Sequence, residues 1–227
     1  MPNFTIVSNS LTPQYVVDFE GFIMPNNLLM WWDISQELYN NGDPINSYTD
    51  YSLNGNSGTC ISGTTKSIFQ TNRVNGKPSA RFTWDGVSTA IEMIGTGDLQ
   101  DLYFVARINQ NTFHEFGGHC ETLMEFFSGS KLTGDQSNPL RFRPSDIAAS
   151  IYELDGVDSK ASGAVGFGSA HVYRLAGSPG TSGIRWGYGF RPMFDLDFCE
   201  AIGFGNVLSS GDSAALLATL KTKWGIP

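Results

Sequence analysis

From Leu28 to Phe204 the chain alternates short apolar stretches with clusters of Gly, Asn, Ser, Thr and Pro. This texture, with 26 glycines in 227 residues, is that of many strands joined by turns. Ala80-Arg81-Phe82-Thr83-Trp84 shows the underlying period. Ala80, Phe82 and Trp84 take one face of a strand, Arg81 and Thr83 the other. Strands are expected at 28–34, 80–84, 102–108, 122–127, 140–142, 149–154, 171–175, 184–188 and 198–204. Turn signals stand at Asn41-Gly42-Asp43-Pro44, Asn54-Gly55-Asn56, Asn75-Gly76 and Ser178-Pro179-Gly180.

One segment near the end reads as a helix. Ser209 is placed to cap it, with Asp212 completing a capping-box-like pair. Leu216, Leu217, Leu220 and Trp224 recur at helical spacing, Lys221 and Lys223 oppose the dipole in the last turn, and Gly225 ends it. Many strands with one terminal helix predict an all-β fold, a two-sheet antiparallel sandwich rather than an α/β architecture. Residues 1–27 differ from the rest. Phe4, Ile6, Tyr15, Val17 and Phe19 are β-prone, but Pro2, Pro13 and Pro25 interrupt them. They read as an N-terminal extended arm or an extra edge strand ahead of a domain at 28–227. In the arm reading, those five residues are the partner-binding positions.

Composition excludes several functions. With 14 basic and 22 acidic residues the net charge is −8, which argues against nucleic-acid partners and anionic lipid. No apolar run approaches the roughly 18 residues of a membrane-spanning helix. The first residues, Met1-Pro-Asn-Phe-Thr-Ile-Val, lack the basic and apolar regions of a secretion signal. Cys60, Cys120 and Cys199 are few, odd in number and far apart, which reads as free thiols in a chain folded in a reducing cytoplasm.

Four segments carry a family resemblance. Leu28-Leu29-Met30-Trp31-Trp32-Asp33 resembles the opening strand of LamG-like, concanavalin A-like jelly rolls of the lectin and glucanase kind. Asp50-Tyr51-Ser52-Leu53-Asn54-Gly55-Asn56 is similar to a turn of that family, and Val74–Phe82 followed by Asp85-Gly86 to another of its segments. Cys199-Glu200-Ala201-Ile202-Gly203-Phe204, with Leu208-Ser209 and the helix to Lys223-Trp224-Gly225-Ile226, resembles its closing region. The resemblance covers residues 28–227, although 110–170 carry none of the motifs. It implies a jelly-roll sandwich and no single function, since the fold hosts lectins, hydrolases, adhesins and virion proteins. Domains of this kind sometimes hold one structural calcium at the sandwich rim. Asp85, Asp98 and Asp101 are the candidate donors here, and no other cofactor is implied.

Candidate chemistry is sparse. His114 and His119 are five apart with Gly117 and Gly118 between them, so they share no helical face, and Cys120 and Glu121 complete no tetrahedral set. A polar turn is the expected reading, with no metal. Asp195, Asp197 and Glu200 echo the acidic strand of jelly-roll glucanases, but an Asp replaces the first Glu, and a solvated turn before the final strand is expected instead. No GxSxG elbow, Walker loop or EF-hand spacing occurs. Among aromatics, Trp31, Trp84 and Trp224 fall in fold motifs and read as core. Trp186, Tyr188 and Phe190 alternate with glycines, and form either core or a sugar-stacking face. Tyr48 and Tyr51 lie in a polar loop and are candidates for an exposed glycan contact.

The expected function is that of a non-enzymatic structural or adhesive protein of a virus particle, such as a capsid decoration or cement subunit. It would be made in the host cytoplasm, partner other virion subunits, and close into a homo-oligomer such as a trimer. A glycan-binding lectin-like module is the alternative, and a glycoside hydrolase using Asp195, Asp197 and Glu200 the third reading.

Overall fold

The computed structural model describes residues 3–7, 14–19, 21–60, 66–83, 91–94, 99–109, 115–116, 119–120, 122–126, 131–135, 137–177, 183–186 and 195–227. It is built mainly of antiparallel strands with one C-terminal helix, in keeping with the all-β expectation. In the larger main sheet the hydrogen-bonded order is Val157–Asp158, Ile151–Leu154, Ala170–Ala176, Asp101–Ile108, Leu196–Phe204, Lys77–Phe82 and Ile68–Val74. Leu28–Asp33 pairs with the second half of Leu196–Phe204, beside the part taken by Lys77–Phe82. The second sheet runs Asn138–Phe142, Lys131–Asp135, Thr122–Phe126, Gly183–Trp186, Ile91–Ile94, Gly58–Cys60 and Ser47–Tyr48.

Alternation of apolar side chains explains the layers. Leu102, Phe104, Ala106 and Ile108 share one core with Leu123, Met124, Ile184 and Trp186 of the second sheet. Rings interlock there: Phe104 stacks on Tyr173 at 4.7 Å, and Trp186 lies 4.8 Å from Phe104 and 5.0 Å from Phe198. The opposite face of the main sheet, with Tyr103, Val105, Ile202 and Phe204, packs against Leu216, Leu220 and Trp224 of the helix. The molecule therefore has three layers, and the main sheet is the middle one.

The helix spans Ser210–Trp224, with Ser209 accepting a hydrogen bond from the Asp212 N–H and Gly225 in the left-handed region at φ 62°. Each expected strand is present within a few residues of its expected bounds. The pairing has one irregularity with consequences for chemistry. Val105 pairs with Glu200 and Ala106 with Phe198, so Cys199 is an extra residue in a bulge. Cys199 joins the helix-side cluster, while Phe198 and Ala201 face the other core.

The Asn75-Gly76 signal is a tight hairpin turn with both residues at positive φ, 48° and 81°. A Cβ on Gly76 would meet no atom within 4 Å. Gly76→Ala therefore isolates backbone strain and should destabilise by about 1–2 kcal/mol. A urea midpoint unchanged from wild type would show that the turn tolerates an L side chain.

Candidate functional site

The acidic run at 195–200 lies on the main sheet, and burial decides its chemistry. The Asp197 side chain is 0% exposed. Its strand neighbours by register are Arg81 and Arg107. Arg107 Nη2 lies 2.6 Å away, Arg81 Nη1 3.3 Å and Arg73 Nε 3.2 Å, while Ser79 Oγ and Asn109 Nδ2 also donate to the carboxylate. Asp195 pairs with Arg81. A buried carboxylate needs this compensation, because an unpaired charge in low dielectric is strongly disfavoured.

Glu200 is buried between the sheet and the helix. Trp31 Nε1 donates to one oxygen at 2.7 Å, and Lys223 Nζ and Trp224 Nε1 donate to the other at 2.9 and 2.6 Å. The same ammonium donates to Asp33 at 2.6 Å. Two carboxylates thus share one buried cation. Burial pushes Glu200 up to about 7, against the pull of Lys223 and with the help of Asp33. The expectation of a solvated turn is corrected for Asp197 and Glu200: both are buried within the sheet, each in a polar network of its own.

The aromatic candidates divide. Trp186 is 3% exposed and lies in the inter-sheet core. Tyr48 is fully buried, its ring against Trp32 and Phe198 and its hydroxyl bonded to Ser67. The reading of Tyr48 as an exposed contact is thereby corrected, since neither ring has a free face for a sugar. Tyr51 is half-buried, edge-on to Trp31, and burial pushes its phenol up to about 12. Trp84, Tyr188 and Phe190 lie outside the described residues, as do His114, Glu121, Asp85 and Asp98. Asp101, the remaining calcium candidate, is fully buried and bound by Arg174 through both oxygens and by the Leu208 N–H. That leaves its carboxylate satisfied by a guanidinium. His119 and Cys120 pair with Glu115–Phe116 in a two-stranded ribbon.

The N-terminal positions form a hairpin. Asn3–Val7 pairs with Gln14–Phe19, and that strand with Phe22–Ile23, in a sheet of their own. The register sets Phe4 opposite Val17 and Ile6 opposite Tyr15. Positions 4, 6, 15, 17 and 19 therefore lie on one face. Phe22, opposite Phe19, continues that face and packs against the cluster beneath the helix. Among the described residues, the two long strands pair only within this small sheet.

Against known proteins, the chain matches no family model, and no curated protein or solved structure matches it either. The resemblance to LamG-like domains rests on the four sequence segments. Trp31 and Asp33 of the first and Glu200, Lys223 and Trp224 of the last are the residues that meet in the buried network.

Two outcomes follow from that network. Lys223→Met strands two buried carboxylates without their cation, and should destabilise by about 3–5 kcal/mol in urea denaturation. The raised Glu200 also sets a sign. Between its ordinary value and about 7 the folded state holds a proton that the unfolded state has released. The stability it contributes is therefore present at lower pH and lost as pH rises through about 7, by roughly 1–3 kcal/mol. Urea midpoints that rise from about pH 5 to about pH 8 would contradict this sign.

Proposed function

We propose that the two large sheets are the halves of a jelly roll, and that the chain is a structural, adhesive subunit of a virus particle that assembles with copies of itself through its N-terminal hairpin. The observation that carries this reading is the hairpin: by register the apolar or aromatic positions 4, 6, 15, 17 and 19 fall on one face of a ribbon that, among the described residues, pairs only within its own small sheet. A ribbon with one apolar face is stable when that face is covered. A second copy of the chain supplies an equivalent face under closed rotational symmetry, as a two-fold dimer where two faces meet or as a trimer where three ribbons meet about one axis.

The body supports the same reading. Asp197, Glu200, Asp33 and Asp101 are buried and tied to Arg107, Lys223 and Arg174. Such ties stiffen a scaffold and leave these carboxylates no role at a surface. The four sequence segments similar to LamG-like domains add the fold-level part of the proposal.

Light scattering on the purified chain tests this. The full chain should run as a closed oligomer, and a chain lacking residues 1–20 as a folded monomer. The double variant Ile6→Asp, Val17→Asp should also disperse the oligomer. A monomeric full chain, or an oligomer that survives both changes, would overturn the assembly role.

A further inference from the structure

A second polar constellation, Asp155, His171 and Ser169, lies at the far edge of the main sheet. Asp155 and Gly156 turn the hairpin between Ile151–Leu154 and Val157–Asp158, at φ 53° and 85°. The turn is fixed against the neighbouring strand twice. The Asp155 N–H donates to the Val172 carbonyl at 2.8 Å, and the Val172 N–H donates to Asp155 Oδ1 at 2.9 Å. The remaining oxygen, Oδ2, lies 2.6 Å from His171 Nδ1, and His171 Nε2 lies 2.9 Å from Ser169 Oγ.

Proton bookkeeping gives these contacts a direction. An ionised carboxylate only accepts, so Nδ1 carries the ring proton. In the neutral ring Nε2 is then an acceptor, and the Ser169 hydroxyl donates to it. Burial alone would raise Asp155, but the hydrogen bonds from His171 and from the Val172 N–H, with the charges of His171 and Lys221, hold its carboxyl below the usual range. The imidazole is held sterically as well. A Cβ on Gly166 would fall 1.9 Å from His171 Cδ2, so the backbone there lies against the ring. Exposure falls from Ser169, on the surface, to His171 and Asp155, whose side chains are about a fifth to a quarter exposed. Ser169 follows Gly168, at φ 81°, where the chain turns into Ala170–Ala176. It lines a cavity of about 200 Å³ with Gly168, Ala170, Asn75, Arg107 and Ile226. Arg107 is held in place there by two hydrogen bonds to Asp197.

The geometry points to acyl transfer, with Ser169 as nucleophile, His171 as general base and Asp155 as the positioning residue, acting on small carboxylic esters that reach the surface hydroxyl of Ser169. Nucleophile, base and orienter within hydrogen-bond reach are what such chemistry requires. Ser169 Oγ attacks the ester carbonyl carbon while its proton passes to His171 Nε2. The tetrahedral intermediate collapses, the C–O bond to the alcohol breaks, and the alcohol leaves with that proton. Water then attacks the acyl-serine, giving its proton to His171. The carboxylic acid departs and the proton returns to Ser169 Oγ. The cavity restricts the acyl part to a short chain.

This activity goes beyond the assembly role and does not rest on it. The test treats the full chain with a fluorophosphonate probe and maps the adduct by mass spectrometry, alongside turnover of p-nitrophenyl acetate. Wild type should carry the phosphonyl group on Ser169. Ser169→Ala should lose that adduct, and His171→Gln should slow labelling and turnover by about 10²–10⁴-fold while melting as a folded protein. Asp155→Asn should shift the pH profile of labelling, a readout that loss of packing alone would not move. No adduct on Ser169, or labelling in folded His171→Gln at the wild-type rate, would show that the three residues only pin the loop to the turn, and would overturn the proposal.

Discussion

The strand Leu196–Phe204 is buried along its whole length, between the second sheet on one side and the C-terminal helix on the other. A strand enclosed in this way can carry a polar side chain only where a partner meets it. It carries two. Asp197 draws arginines from its two register neighbours and a third from Ile68–Val74, while Glu200 draws the helix down through Lys223 and Trp224. The bulge at Cys199 makes the second arrangement work. The extra residue lets Phe198 and Ala201 both face the inter-sheet core, while Cys199 lies on the helix side and Glu200 meets the helix. The docking of the helix is thus specified by polar contacts as well as by Leu216 and Leu220.

Much of this is legible in the sequence, and the limits are physical. Period-two alternation marks strands whose two faces differ, and so the central strands and the capped helix can be read directly. Lys131–Asp135 and Ile68–Val74 escape because Thr, Gly, Gln and Asn dilute their pattern at the sheet margins. Tyr48 is misplaced by the same logic: its neighbours are polar, yet a two-residue strand swings its ring into the core. The run from Asp195 to Glu200 is visible, but its meaning depends on a bulge and on partners more than a hundred positions away, such as Arg73, Ser79 and Arg81. Ser169, His171 and Asp155 carry no motif. They meet only because a hairpin turn folds beside the start of the next strand.

Where copies of the chain can meet is constrained by the sheets themselves. An open sheet edge is a template for pairing with another chain unless something blunts it. The main sheet ends on one side in Val157–Asp158, two residues long, and on the other in Ile68–Val74, whose register breaks between Gln70 and Val74 with Asn72 at φ 52°. The second sheet ends in Ser47–Tyr48, again two residues, and in Asn138–Phe142, where Pro139 has no N–H to offer. Among the described residues, these four ends are therefore poor templates for strand addition. The ribbon formed by Asn3–Val7 and Gln14–Phe19 is longer than either two-residue edge, its five-residue register is unbroken, and positions 4, 6, 15, 17 and 19 fall on one face, with Val7 and Val16 on the other. Self-association through an edge of the sandwich would have to overcome a break, a proline or a shortage of length. The ribbon carries none of these obstacles among its described residues, which is why the proposed assembly is assigned to the hairpin.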